Sequence, residues 1–179
     1  MQTIPVWQWA LVLVLLVAVY TDWRWHRIYN WLTFPAMGLG LLLSLVMGGV
    51  PGLLSSLAGA GLAAVVFLLL YLFAKMGAGD LKLMVAIGAW IGYPLVVVAM
   101  IDVALAGGVI ALLFALRYGA LWPVLRNLYY FLLAMFTPGA KPESMLSKSA
   151  LPPFPYGVAI AIGTLVAMVY PRLHTFSGG

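Results

Sequence analysis

Long apolar runs alternate with short polar or glycine- and proline-rich joints along almost the whole chain. A helix needs about 20 mainly apolar residues to cross a hydrocarbon core about 30 Å thick. The pattern therefore predicts an all-α fold, in which residues 1–179 form one membrane domain of six transmembrane helices. The fourth predicted span is short for a full crossing. Its length would be explained by a tilt, by a start before Asp80 or by a position behind other helices. The predicted spans are residues 5–22, 31–48, 54–74, 81–93, 95–116 and 153–170.

The composition excludes an ordinary soluble domain. Hydrophobic residues make up 65% of the chain and charged residues 7%, whereas soluble domains carry about 25% charged residues. The chain contains no cysteine, which excludes disulfides, thiolate zinc sites and cysteine nucleophiles. We expect the net charge of +5 to orient the chain in the lipid bilayer and to contact anionic headgroups, and we expect no nucleic-acid partner.

The positions of the basic residues predict the orientation. With the N-terminus outside, eight of the nine Lys and Arg residues fall on the cytoplasmic side and only Arg172 falls outside. Both termini are then outside, and residues 117–152 form a cytoplasmic or interfacial segment. Within it we expect 119–136 to be interfacial or re-entrant rather than a seventh span, and 137–150 to be a polar loop. The cytoplasmic set is Arg24, Arg27, Lys75, Lys82, Arg117, Arg126, Lys141 and Lys148.

Two aspartates carry the candidate chemistry. Asp22 closes the first apolar run and Asp80 follows Gly77-Ala78-Gly79, so both lie at the cytoplasmic edge of this map. Ionisable groups at membrane depth are costly and suggest function. Two carboxyl groups that share a proton could hydrolyse a peptide bond. A relay in a proton-coupled small transporter and a non-catalytic assembly scaffold remain open alternatives.

Other polar residues add little chemistry. Lys82 could offset the negative charge, contact substrate or anchor the chain at the interface. The two histidines, His26 and His174, are far apart in the sequence, and we expect neither a metal site nor a cofactor. Asp102 is placed toward the outer leaflet, where a structural hydrogen bond between helices is the favoured interpretation. Glu143 falls in the polar loop and is expected to be solvated.

Three segments resemble the motifs of the type IV prepilin peptidase family, in order and over nearly the whole chain. The segment from Asp22 through Arg27-Ile28 to Asn30-Trp31-Leu32 resembles the first motif, and Gly77-Ala78-Gly79-Asp80-Leu81-Lys82 resembles the second. Pro155-Tyr156-Gly157-Val158-Ala159-Ile160 is similar to the motif that opens the last helix in the short branch of tight-adherence (Flp-type) pilus peptidases. Tyr29 stands where the family usually has proline.

The resemblance implies a Gly-x-Gly-Asp membrane aspartic endopeptidase of the bacterial inner membrane, with its active site facing the cytoplasm. Its substrates would be prepilins or pseudopilins with an apolar N-terminal helix, and its wider partners a pilus or secretion machinery. Asp22 and Asp80 match the family's catalytic aspartates. The supporting loop would contain Gly77, Gly79 and Lys82. Contacts with substrate or lipid would come from Arg24, Arg27 and Asn30. The chain lacks the cysteine-bearing N-terminal region of large members, so we expect cleavage without N-methylation.

Overall fold

The computed structural model describes residues 6–74, 76–119, 121–122, 125–126, 129 and 156–174. Three parts of the sequence prediction lie outside these residues: Lys75, most of the 119–136 segment and the polar loop at 137–150. The chain divides into two compact units, one formed by Met1–Gly107 with Pro155–Gly179 and the other by Gly108–Phe154. The described part contains five long helices and no strand: α1 (Val6–Trp25), α2 (Asn30–Ala74), α3 (Ala78–Ile91), α4 (Leu95–Arg117) and α5 (Tyr156–His174).

The helix α2 is broken at Gly49, where the sequence predicts a joint between two spans. Gly49 has φ 60° and ψ −153°, a conformation with positive φ that only glycine adopts readily. The chain turns back on itself here, since the backbone oxygen of Ser44 lies directly against Gly52. The break therefore separates α2 into two helical arms, residues 30–48 and 50–74, close to the predicted spans 31–48 and 54–74.

Small residues allow α3 to pack closely between these two arms. Gly88 of α3 meets Gly59 of the second arm so closely that a side chain on either would contact the other's backbone. On the first arm, the indole Nε1 of Trp90 donates a hydrogen bond to the Ala36 carbonyl at 2.6 Å. The Ser56 hydroxyl donates to the Ala89 carbonyl. These contacts place α3 deep in the first unit, and its residues 83–84 and 86–90 are buried.

The side chains have the distribution of a membrane protein. Many buried positions are alanine, whereas large apolar side chains such as Leu13, Val46 and Phe73 are more than 60% exposed. Small residues at helix contacts and large apolar residues on the outside are typical of helices packed in lipid. Of the described helices, α2 and α4 are long and apolar enough to cross a membrane, with mean hydropathy of 2.4 and 2.6 over Asn30–Phe73 and Leu95–Arg117.

The helix ends of the first unit gather the site residues. The helix α5 packs on α1 and on α3, and its N-terminus lies beside the C-terminus of α1. The first turns of α2 and α3 lie at the same end, because Lys82 of α3 is hydrogen-bonded to Asn30 of α2. The α2 break and the α3 C-terminus lie at the opposite end, where the Tyr93 N–H donates to the Ser55 carbonyl at 3.0 Å.

The described part of the second unit continues α4 from Gly108 to Arg117. Phe114 and Tyr118 pack against each other with ring centroids 5.8 Å apart. The helix stops at Gly119, which has φ 63° and whose N–H donates to the Leu116 carbonyl at 3.3 Å. A left-handed glycine is a common way to end a helix.

Candidate active site

Asp22 lies in the last turn of α1 and is only 7% exposed. Its Oδ2 accepts a hydrogen bond of 2.8 Å from the backbone N–H of Gly157, in the first turn of α5. The contact joins residues 135 positions apart. Because α1 and α5 pack along each other, the carboxyl group is held against a helix N-terminus, where a negative charge is favoured.

The end of α1 opens directly into one wall of the site. His26 has φ 51°, and its N–H donates to the Asp22 carbonyl at 2.8 Å. A left-handed residue at this position terminates the helix and redirects the chain. Residues 26–29 then run across to the start of α2, which places the connection beside the Asp22 side chain.

Asp80 lies in the first turn of α3, after the N-cap residue Gly77. Its N–H donates to the Gly77 carbonyl at 3.1 Å. Asp80 precedes the predicted fourth span, which begins at Leu81. The pKa of the Asp80 carboxyl group is raised to about 7. Burial is the main cause of this rise in pKa and the negative charge of Asp22 adds to it, whereas a hydrogen bond from the Gly77 backbone opposes it.

Asp22 and Asp80 line one cavity of about 390 Å³. Its walls come from the end of α1, the connection to α2 and the segment that opens α3. A cavity that holds one ionised and one protonated carboxyl group can activate a water molecule and polarise a carbonyl at once. The lining residues are Asp22, His26, Arg27, Ile28, Tyr29, Asn30, Gly77, Ala78, Gly79 and Asp80.

The two sides of the cavity are tied together by residues that the sequence singled out. A side chain at Gly79 would lie 3.0 Å from the Ile28 Cβ, so glycine allows the two segments to meet. Lys82 does not line the cavity; its Nζ donates a 2.8 Å hydrogen bond to Asn30 Oδ1. The same ammonium lies 5.6 Å from the centre of the Phe34 ring.

The candidate contact residues occupy different places. Arg27 and Asn30 line the cavity, as do Gly77 and Gly79 of the supporting loop. Arg24 is exposed and lies outside the lining, with its guanidinium 6.0 Å from the Trp25 ring. Contact of Arg24, Arg27 and Asn30 with substrate or lipid remains a prediction.

Gly157 is the site residue that sequence reasoning did not assign. A Cβ there would lie 2.9 Å from Asp22 Oδ2, so glycine lets the backbone reach the carboxylate without displacing it. The neighbouring Tyr156 interacts electrostatically with Asp80. In the sequence, only the resemblance of residues 155–160 to a family motif indicated that the start of the last helix belongs to the site.

The third aspartate of the described residues lies apart from this cavity. Asp102 is not among its lining residues, and within the described residues its Oδ2 is buried without a hydrogen-bond partner. The expected interhelical hydrogen bond is therefore not made by that oxygen. In the part of the chain that the structure describes, no three His, Cys, Asp or Glu side chains form a metal-binding group.

Comparisons with known proteins give one family. The family model described as the type IV leader peptidase family matches residues 9–140, which include the first two sequence motifs and both aspartates of the cavity. Neither the comparison with curated proteins nor the comparison with solved structures gives a match. The match covers well over half of the chain, and the protein therefore belongs to the type IV leader peptidase family.

Proposed function

We propose that this protein is an aspartic endopeptidase that removes the N-terminal leader of prepilins or prepilin-like proteins at the cytoplasmic face of the bacterial inner membrane. The observation that carries the proposal is the placement of Asp22 and Asp80 in the same cavity. The two residues come from separate helices and are 58 positions apart (80 − 22). Family membership supports a leader peptidase, and the acidic pair supports aspartic chemistry in it.

The reaction needs a water molecule, one ionised carboxylate and one carboxyl group. The carboxylate accepts a proton from water while the water oxygen attacks the scissile carbonyl, and the carboxyl group donates its proton to the carbonyl oxygen. The tetrahedral intermediate then loses the amine, which leaves with the proton taken from water. A hydroxyl group of the intermediate returns a proton to the other carboxyl group as the carbonyl re-forms. The two carboxyl groups return to their starting protonation states, so no other reactant is consumed.

The proposed topology has six crossings within one domain, residues 1–179. The proposed crossings are residues 5–22, 31–48, 54–74, 81–93, 95–116 and 153–170, and 117–152 would stay cytoplasmic or interfacial. In chain order they correspond to α1, the two arms of α2, α3, α4 and α5. The clustering of Asp22, Asn30, Asp80 and Gly157 at one end of the first unit, opposite the break at Gly49, supports this alternation. The bias of Lys and Arg assigns that end to the cytoplasm.

The substrate is proposed to carry a basic leader and an apolar N-terminal helix, as in a prepilin or pseudopilin. The apolar helix would enter the bilayer beside the enzyme, so that the scissile bond stops at the cytoplasmic edge. The basic residues Arg24, Arg27 and Lys82 would repel a basic leader, and we therefore assign the arginines to lipid phosphate or to an acidic residue of the mature substrate. Cleavage without N-methylation is proposed because the chain contains no cysteine.

The test is co-expression with a candidate prepilin. We expect the full chain to release the leader and the Asp22→Asn and Asp80→Asn variants to lose this activity, because each removes one carboxyl group of the pair. Asp102→Asn is the matched control, since it removes a carboxyl group outside the cavity. Membrane levels are compared by immunoblot, and the mass of the mature N-terminus shows whether a methyl group is added.

Other outcomes separate this proposal from its alternatives. Continued leader removal by either single variant would contradict the catalytic pair. Normal pilus or secretion assembly with both aspartates replaced would favour a scaffold. Proton-coupled uptake that is lost in the same variants, without any leader removal by the wild type, would favour a transporter.

A further inference from the structure

The start of α5 supplies a fixed hydrogen-bond donor to the acidic pair. The Gly157 N–H donates to Asp22 Oδ2 at 2.8 Å in a buried position. A backbone N–H can only donate, so it satisfies an unprotonated carboxyl oxygen and cannot accept a proton from an O–H. The helix N-terminus adds a partial positive charge at the same place. Both effects favour the ionised form of Asp22 and act against the burial of its carboxyl group.

The charge of Asp80 has weaker support. Asp80 is half-buried, and it faces the charge of Asp22 in a shared cavity. These two effects outweigh the hydrogen bond from the Gly77 backbone and raise the pKa of Asp80 to about 7. Two carboxyl groups whose charges interact in one cavity do not both ionise readily, so the group with the weaker support for its charge keeps the proton.

We propose that Asp22 is the ionised carboxylate that takes the proton from water, that Asp80 is the protonated acid, and that Gly157 is the positioning residue that fixes Asp22 in this role. The assignment rests on the proposed function above. In the forward step an O–H bond of water breaks, its proton moves to Asp22, and the Asp80 proton moves to the carbonyl oxygen as the new C–O bond forms. Asp22 later gives its proton to the leaving amine, and Asp80 regains a proton from a hydroxyl group of the tetrahedral intermediate as the carbonyl re-forms.

The charged groups around Asp22 agree with this assignment. His26 and Arg27 face the cavity from the connection after α1, and positive charge on either favours an anion there. Asp80 faces it from α3, and the Tyr156 side chain of α5 interacts with Asp80. A further cation, Lys82 of α3, is hydrogen-bonded to Asn30.

Gly157 also sets the position of the carboxylate by leaving space for it. A Cβ at residue 157 would lie 2.9 Å from Asp22 Oδ2 and 3.2 Å from Asp22 Cβ. Alanine would therefore push the carboxyl group away from the N–H and weaken the bond that holds it. The expected consequence is a change in the titration of Asp22 in addition to a loss of rate.

The assignment can be tested without a substrate, because the chain has only three aspartates, Asp22, Asp80 and Asp102. The full chain in detergent is labelled with ¹³C at the aspartate carboxyl carbons, and the signals are followed by NMR as pH changes. Asp22→Asn and Asp80→Asn identify two signals by their disappearance. We expect the Asp22 signal to ionise at lower pH than the Asp80 signal in the wild type. The reverse order would overturn the assignment even if the enzyme cleaves prepilins.

Gly157→Ala tests the positioning role. We expect the Asp22 titration to move to higher pH by at least about half a unit, while the Asp80 titration stays close to its wild-type position. Gly108→Ala is the control, since a Cβ there meets nothing within 4 Å, and it should move neither signal. A Gly157→Ala protein that retains its helical circular dichroism and shows an unchanged Asp22 titration would overturn the role of Gly157. If that variant does not fold, the order of ionisation in the wild type still decides the acid and base assignment.

Discussion

The Lys82 Nζ donates a 2.8 Å hydrogen bond to the Asn30 Oδ1, which joins the first turn of α2 to the helix that carries Asp80. Asn30 lines the cavity of the two aspartates, whereas Lys82 is not among its lining residues. The pair therefore closes one corner of the cavity by linking two segments far apart in sequence. A hydrogen bond to a charged donor contributes about 1.5–3 kcal/mol when desolvated and less when exposed, as this one is.

The Lys82–Asn30 pair predicts a coupled loss of activity. Because either substitution breaks the same bond, we expect Lys82→Met and Asn30→Ala each to lower kcat/KM by about three- to tenfold, and the double variant to lose little more than the worse single variant. Cleavage of a prepilin-like polypeptide by the purified variants measures this. Arg117→Ala, which removes an exposed basic residue in the second unit, is the control. Fully additive losses would show that the two side chains act separately.

The pKa of Asp80 predicts how the rate depends on pH. Asp80 supplies a proton in the proposed reaction, and its pKa lies at about 7. The rate is therefore expected to fall as pH rises through about 7, because the acid becomes ionised. Initial rates of prepilin cleavage between about pH 5 and about pH 9 measure the profile, provided that the protein stays folded throughout. A rate that is flat or rising across neutral pH would contradict the role of Asp80 as acid.

The raised pKa of Asp80 also predicts how the stability of the folded protein depends on pH. The Asp80 pKa is higher in the folded protein, about 7, than the ordinary value of 3.8. The folded state therefore binds the proton more tightly, so this contribution to stability is full below pH 3.8 and is lost as pH rises through about 7. Asp80→Asn should flatten this decline in the free energy of unfolding. Thermal unfolding in detergent at several pH values gives the comparison, and an equally steep decline in the variant would assign it to another group.

The sequence predicted most of the helical architecture, because a lipid environment leaves few choices. Backbone groups in a bilayer must be hydrogen-bonded internally, so long apolar runs form helices. The helix break at Gly49 lies within Gly48-Gly49-Val50-Pro51-Gly52, where the sequence predicts a joint. The start of α3 at Ala78 was less predictable, since Gly77-Ala78-Gly79 has the composition of a loop while Ala78 and Gly79 form the first turn of the helix.

The candidate site was predicted in part. Asp22 and Asp80 line one cavity, which agrees with their placement at one membrane edge by the Lys and Arg pattern. The Gly157 contact and the pairing of Lys82 with Asn30 could not be predicted. They depend on how each helix is rotated and on its register against its neighbour, and apolar composition does not determine either.

Close contact between glycines predicts a stability effect far from the cavity. A Cβ at Gly88 would lie 2.5 Å from the Gly59 carbonyl oxygen and 2.7 Å from its carbon. These are backbone atoms, so the helices must separate, and overpacking of this kind costs about 1–3 kcal/mol. We expect Gly88→Ala to lower the melting temperature in detergent, with the order of aspartate ionisation preserved in the folded fraction. Gly61→Ala, where a Cβ meets nothing within 4 Å, should leave the melting temperature nearly unchanged. Equal effects of the two variants would mean that α2 and α3 do not rely on this contact.

Gly79 predicts an effect on the cavity itself. A Cβ at this position would lie 3.0 Å from the Ile28 Cβ and 3.3 Å from the Ile28 carbonyl oxygen. The Ile28 atoms are on or next to the backbone, so they cannot swing away as a side-chain tip could. Gly79→Ala should therefore separate the segment before Asp80 from the connection after Asp22, and lower the cleavage rate by more than tenfold at a modest loss of stability, about 1 kcal/mol. The comparison with Gly61→Ala separates this effect from the ordinary cost of replacing a glycine. A shift of about 1 Å between catalytic groups can lower the rate about a hundredfold. A Gly79→Ala enzyme with wild-type kcat/KM would therefore contradict the prediction, because it would show that catalysis does not depend on the close contact between Gly79 and Ile28.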